Sequence, residues 1–184
     1  MTTQDIKDRV IRQGQIAPLS VIACIGNDEI SKLIQKYSGS PYSHIEIVYD
    51  TLLVGGQPSH VIEGANPGGV ILSSMKKLWM EGTDFDVFAC PGLTGEQITT
   101  GMKFLEDVQY SPYDYLDLGH FYVEKIPLIG NWLADKMVSH SKYICSKVAA
   151  VMYQKMGILP ANYPVNECKP SDCAKWSFME KISK

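Results

Sequence analysis

The chain has 184 residues, enough to bury a core without disulfide or metal staples and about the length of one domain. Hydrophobic residues make up 45% and charged residues 20%, which excludes intrinsic disorder and collagen-like repeats. A formal net charge of -3 leaves no basic surplus to neutralise phosphates, so no nucleic-acid partner is expected. No apolar run reaches the roughly 20 residues of a membrane span.

The first residues, MTTQDIKDRVIRQGQ, lack the basic start and apolar centre of a secretory signal, so the expected location is the cytoplasm. Ile6, Val10 and Ile11 among charges predict a short amphipathic helix over 4–12. LSVIACI (19–25) reads as a buried strand. Asn27-Asp28 caps a helix over 29–37 with Ile30, Leu33 and Ile34 on its apolar face. HIEIVYD (44–50) alternates as a strand does, and Gly55, Gly56 and Pro58 mark a turn. Strands follow at 60–65 and 69–72, separated by NPGG, and at 84–89. Together these make a small, mainly antiparallel sheet.

After Cys90-Pro91 the pattern changes. Thr94, with Glu96 and Gln97 in the first turn, opens a helix to about 109. Residues 115–138 read as loop and helix, interrupted at Pro127 and Gly130. A strongly apolar helix over 143–156 ends at Gly157, and Pro160 follows. The tail 161–184 carries turn clusters and is expected to wrap the surface. The fold class is α+β, in a single domain spanning 1–184.

Five cysteines stand at 24, 90, 145, 168 and 173. Cys24 and Cys90 lie in apolar strands and read as small core hydrophobes. Cys168 and Cys173 are spaced C-x4-C beside Lys169 and Asp172; no second pair supports a zinc site, and a reducing setting disfavours a disulfide. Cys145 differs, because it falls in the first turn of the apolar helix. There the helix dipole and backbone N–H groups favour the thiolate, and Lys142 and Lys147 add positive charge.

His44 begins a strand and shares a face with Glu46 and Val48, opposite Ile45, Ile47 and Tyr49. Pairing Asp50 with Gln57 across the turn puts His44 opposite Glu63, about 5 Å away at Cβ. A carboxylate there can orient an imidazole. Glu46 competes for that role from ~7 Å along the same strand, and Glu63 is preferred. Apolar neighbours in VIEGA argue that Glu63 is buried and needs a partner.

The segments SPYSHIEIVYD (40–50), VIEGANPGGVILSSMKKLW (61–79), SPYDYLDL (111–118) and KYICSKVAAVMY (142–153), in this order, resemble the circularly permuted NlpC-like papain-fold amidases of the YiiX-like group. More distantly, they resemble lecithin:retinol acyltransferase-type enzymes. In that group the His strand precedes the Cys helix, as Ser43-His44 precedes Tyr143-Ile144-Cys145-Ser146 here. The polar residue on the following strand matches Glu63, and the PYD segment matches Pro112-Tyr113-Asp114. Glu46 stands where the family often has a small residue, and Pro18-Leu19-Ser20 replaces the usual Gly-Asp opening of the first strand.

The resemblance implies a permuted papain-like fold, with a small antiparallel sheet packed on the Cys-bearing helix. It further implies a thiol hydrolase or amidase with a Cys145–His44–Glu63 triad and a thioester intermediate. The substrate would be an amide or ester of a small peptide, cell-wall derived or otherwise, or of a lipid-like molecule. An acyltransferase using the same triad and a non-catalytic binding module are the alternatives. The Cys145 N–H would be one oxyanion donor, Tyr42 or Tyr143 could supply another, and Tyr113 and Asp114 could line the pocket. No metal or organic cofactor is required by this chemistry, and Walker-type and dinucleotide glycine patterns are absent from the sequence.

Overall fold

The computed structural model describes residues 16–49, 60–65, 69–74, 83–111 and 145–182. The predicted helix over 4–12, the turn at 55–58 and the elements within 112–144 lie outside the described residues. Among the described residues, β1 (Val21–Ile25), β2 (His44–Val48), β3 (His60–Ala65), β4 (Gly69–Ser74), β5 (Asp84–Ala89) and β6 (Glu180–Lys181) form one antiparallel sheet in the order β4-β3-β2-β1-β5-β6. β1 is central because it is apolar on both sides: Val21, Ile22 and Ala23 are all fully buried. Val21, Ala23, Ile45, Ile47, Ile62 and Val70 belong to the main core, while Ile22, Cys24, Val48, Val61, Phe85 and Val87 form a second cluster with Ile16. This is the face assignment that the period-2 alternation predicts for β2.

The first helix, α1 (Glu29–Ser38), starts where the Asp28 side chain accepts from the Ser31 N–H at 3.0 Å, and stops at Gly39 in the left-handed region. Its apolar stripe is only half-buried, and Ile30 is exposed. α2 (Gly95–Val108) opens with the expected box, Thr94 and Gln97 bonding each other's backbone N–H. Gly101 lets it press close to its neighbours, since a Cβ there would lie 2.7 Å from Leu19 Cδ1 and 2.8 Å from Met156 Sδ. α3 (Cys145–Lys155) packs between α2 and the sheet and is buried almost all round, as its composition requires. No helix among the described residues is long and apolar enough to cross a membrane.

The tail runs along the surface but is anchored in the core at several points. A 3₁₀ turn (Val165–Glu167) and the short α4 (Pro170–Cys173) place Cys168, Cys173 and Trp176 in the main core, and β6 extends the sheet edge. The Trp176 ring meets Tyr153 edge-on at 5.6 Å and stacks on Phe178 at 5.4 Å. Cys24 is a core hydrophobe as expected, whereas Cys90 lies just past the end of β5 and is half-buried.

The buried Tyr153 hydroxyl donates to the Leu19 carbonyl at 2.6 Å, and Leu19 holds a positive φ of 66° without being glycine. That conformation costs about 1–3 kcal/mol and persists only where surroundings fix it. Tyr153→Phe is therefore expected to lower unfolding stability by about 1–3 kcal/mol, because it strips a donor from a buried carbonyl. A urea midpoint shift at constant slope measures this, and an unchanged midpoint would refute it.

Candidate active site

The site grows from the sheet register. Val48 pairs with Val61, Ile47 with Ile62 and Glu46 with Glu63. Glu63 thus faces Glu46 directly and lies diagonal to His44, two residues from the pairing the sequence suggests. The Tyr49 N–H bonds His60 O at 3.0 Å, which continues the same register. A two-residue shift preserves the side-chain face, so the His44–Glu63 partnership survives it. His44 Nε2 lies 3.2 Å from Glu63 Oε2. The ring is 27% exposed and the carboxylate 5%, so one end of the pair reaches solvent.

Cys145 enters where this pairing stops. β2 and β3 part after Glu46–Glu63, while β3 continues along β4 to Ala65–Gly69. Val48 N–H points to β1 and Tyr49 N–H to β3, so alternation directs Ile45 N–H to the β3 side, into the parting. The Cys145 sulfur lies close enough to the His44 ring and to the Ile45 and Ser146 N–H groups for each of them to act on its titration. The first residue of a core helix is thus seated against the first residue of a strand.

Electrostatics follow from this seating. Burial pushes the Cys145 thiol up, but the His44 charge and hydrogen bond, with the two backbone N–H groups, bring it below its ordinary 9.0. Burial alone would lower His44. The Cys145 sulfur, then the Glu63 hydrogen bond and the Glu46 charge, hold it well above 6.5. Each shift favours a thiolate–imidazolium pair. Two buried carboxylates face to face would repel, and a cationic ring beside them relieves that cost.

Ser73 completes the group. Its hydroxyl donates to Glu63 Oε1, leaving Oε2 to the imidazole. Sequence reading ends this strand at Leu72 and misses it. The available signal is a hydroxyl on the neighbouring strand, on the face of a buried carboxylate that needs a second donor. The Tyr42 hydroxyl is placed elsewhere: it donates to Asp86 Oδ2 at 2.7 Å, and its ring meets Phe88 edge-on at 5.9 Å. Tyr113 and Tyr143 lie outside the described residues. His44, Glu46 and Glu63 also offer one nitrogen and two carboxylate oxygens within 4.8 Å of one another, a donor set that suits zinc, manganese or iron.

No family model matches the chain, and no curated protein does. A solved structure, the metalloprotein yiiX from Escherichia coli O157:H7 (DUF1105), superposes with a TM-score of 0.65 at 18% identity, over 92% of this chain and 98% of that one. The chain has a YiiX-like fold. In this YiiX-like chain the strand-borne imidazole comes early and the helix-borne thiol late.

Proposed function

We propose that the chain is a thiol hydrolase of permuted papain-like type, cleaving an amide or ester of a small peptide, cell-wall fragments included, or of a lipid-like molecule. The observation that carries this reading is the contiguous Cys145–His44–Glu63 chain, with sulfur and imidazole shifted toward the ion pair. The thiolate attacks the carbonyl carbon, and the oxyanion meets backbone N–H groups at the start of α3. With Glu63 holding Nε2–H, the proton that leaves sulfur sits on the other ring nitrogen and passes to the leaving group. Water then resolves the thioester. If an amine or alcohol takes the place of water, the same residues perform acyl transfer. A binding module on this fold would have no use for an activated sulfur.

The test is the pH dependence of Cys145 alkylation by iodoacetamide. Only thiolate reacts, so the rate rises as pH passes upward through the sulfur's pKa, and half-maximum is expected below 9.0. In His44→Ala the thiol stays buried without its counter-charge, and half-maximum moves above 9.0. A wild-type half-maximum at or above the ordinary thiol value would end the enzyme reading.

A second reading is a metal centre at His44, Glu46 and Glu63, favoured by their donor set and by the description of yiiX as a metalloprotein. The donors fit a divalent ion that accepts one imidazole and two carboxylates. The two readings compete for one ring, since an imidazolium has no lone pair for a metal. Calorimetric titration with zinc at neutral pH decides between them. The triad reading expects only weak binding; tight one-to-one binding lost in Glu46→Gln would favour the metal.

A further inference from the structure

The tail brings into contact two cysteines that the proposed chemistry does not use. Cys168 Sγ and Cys173 Sγ are 3.8 Å apart, and the two residues are 1% and 0% exposed. Cys168 leaves the 3₁₀ turn and Cys173 ends α4, so a single helical turn folds one sulfur back onto the other. A disulfide needs about 2.05 Å between sulfurs, so closing the gap moves the two side chains and draws the Cys168 backbone with them. The contacts holding the sulfurs in place are weak ones: Cys168 Sγ lies 3.8 Å from Lys169 O and 3.9 Å from Tyr163 Oη, and Cys173 Sγ lies 4.0 Å from Ser146 O.

The pair also touches the start of α3. Ser146 Oγ donates to Cys168 O at 2.6 Å, a buried bond, and Ser146 directly follows Cys145 in the first turn of α3. Moving Cys168 to close a disulfide pulls on the carbonyl that holds Ser146 and so disturbs the helix turn that seats Cys145.

We propose that Cys168 and Cys173 are a reversible dithiol–disulfide couple seated against the first turn of α3, and that its oxidation slows reaction at Cys145. The oxidant is a low-molecular-weight disulfide such as glutathione disulfide. One protein thiolate attacks it, forming a mixed disulfide and releasing one glutathione thiolate. The second protein thiolate attacks the protein sulfur of that mixed disulfide, forming the Cys168–Cys173 bond and releasing the second glutathione. The two cysteines give up two protons and two electrons, and the reagent's S–S bond becomes two thiols. Burial makes the rate follow local opening of the tail, whereas the equilibrium depends on the two sulfurs' own geometry.

The intact protein is equilibrated across glutathione/glutathione disulfide ratios and acid-quenched. Remaining thiols are then labelled with N-ethylmaleimide under denaturing conditions and mapped. The expected result is joint loss of label at Cys168 and Cys173, with a linked peptide that dithiothreitol reverses. Iodoacetamide labelling of Cys145 is expected to be severalfold slower in the oxidised protein and independent of the ratio in Cys168→Ser and in Cys173→Ala. Those two replacements, exposed to the same mixtures, also control for glutathione carried on Cys145 itself. Full labelling of both cysteines at the most oxidising ratio overturns the couple, as does a bond mapped to any other cysteine. A disulfide that leaves the Cys145 rate unchanged overturns its link to the site. These readouts follow thiol chemistry alone, so they stand apart from whether the protein turns over an acyl substrate.

Discussion

Cys145→Ala is expected to abolish acyl-enzyme formation while leaving the fold in place. With a small activated ester such as a p-nitrophenyl ester, the wild-type protein should show a burst of released phenol and an intact-mass increase equal to one acyl group on Cys145. The variant should show neither, and its turnover should fall by about 10⁴-fold or more, the scale on which a lost nucleophile acts. The replaced side chain is small and its helix is held by Val148, Ala149, Met152 and Tyr153, so the melting curve should barely move. Full activity in the alanine variant would remove the sulfur from the reaction.

Glu63→Gln is expected to have the next largest effect. The amide keeps the shape and the contact with Ser73 but loses the carboxylate hydrogen bond that, after the Cys145 sulfur, helps hold the His44 pKa up. An amide can also present its NH₂ group to the ring and select the wrong tautomer; loss of an orienting carboxylate of this kind costs up to about 10⁴-fold in turnover. The sign on pH is fixed. Without the carboxylate the imidazole pKa falls, less cation faces the sulfur, and the thiol pKa rises. The alkylation profile should therefore move to higher pH than wild type while staying below that of His44→Ala. An unchanged profile would mean that Glu63 plays no part in setting the pair.

Much of this arrangement is legible in the residues. Period-2 alternation in HIEIV assigns the right faces, and Asp28 and Thr94 mark the two helix starts that the structure shows. Register is another matter, because it depends on how the chain spends residues between Val48 and Val61, which no side chain in that stretch announces. The His44–Glu63 contact withstands that error because the shift is even; an odd shift would have turned Glu63 to the opposite face. The Ser73 hydroxyl is hidden by the polar end of β4, where Ser73 and Ser74 read as loop although they continue the ladder to His60. The tail misleads for a similar reason. Its prolines and turn residues suggest surface, but Trp176 and Phe178 are anchors that a core can claim, and it does.

The bond from Tyr153 to Leu19 joins residues 134 apart in sequence, and the docking of α3 against β2 spans a comparable distance. Closing loops of that length is entropically costly and slow relative to pairing neighbouring strands. The early hairpins can assemble while the late helix is still undocked. A helix not yet docked would hold Cys145 apart from His44, without the neighbour that lowers its thiol pKa. On the proposed chemistry, reactivity at Cys145 therefore waits on a long-range contact and not on local structure.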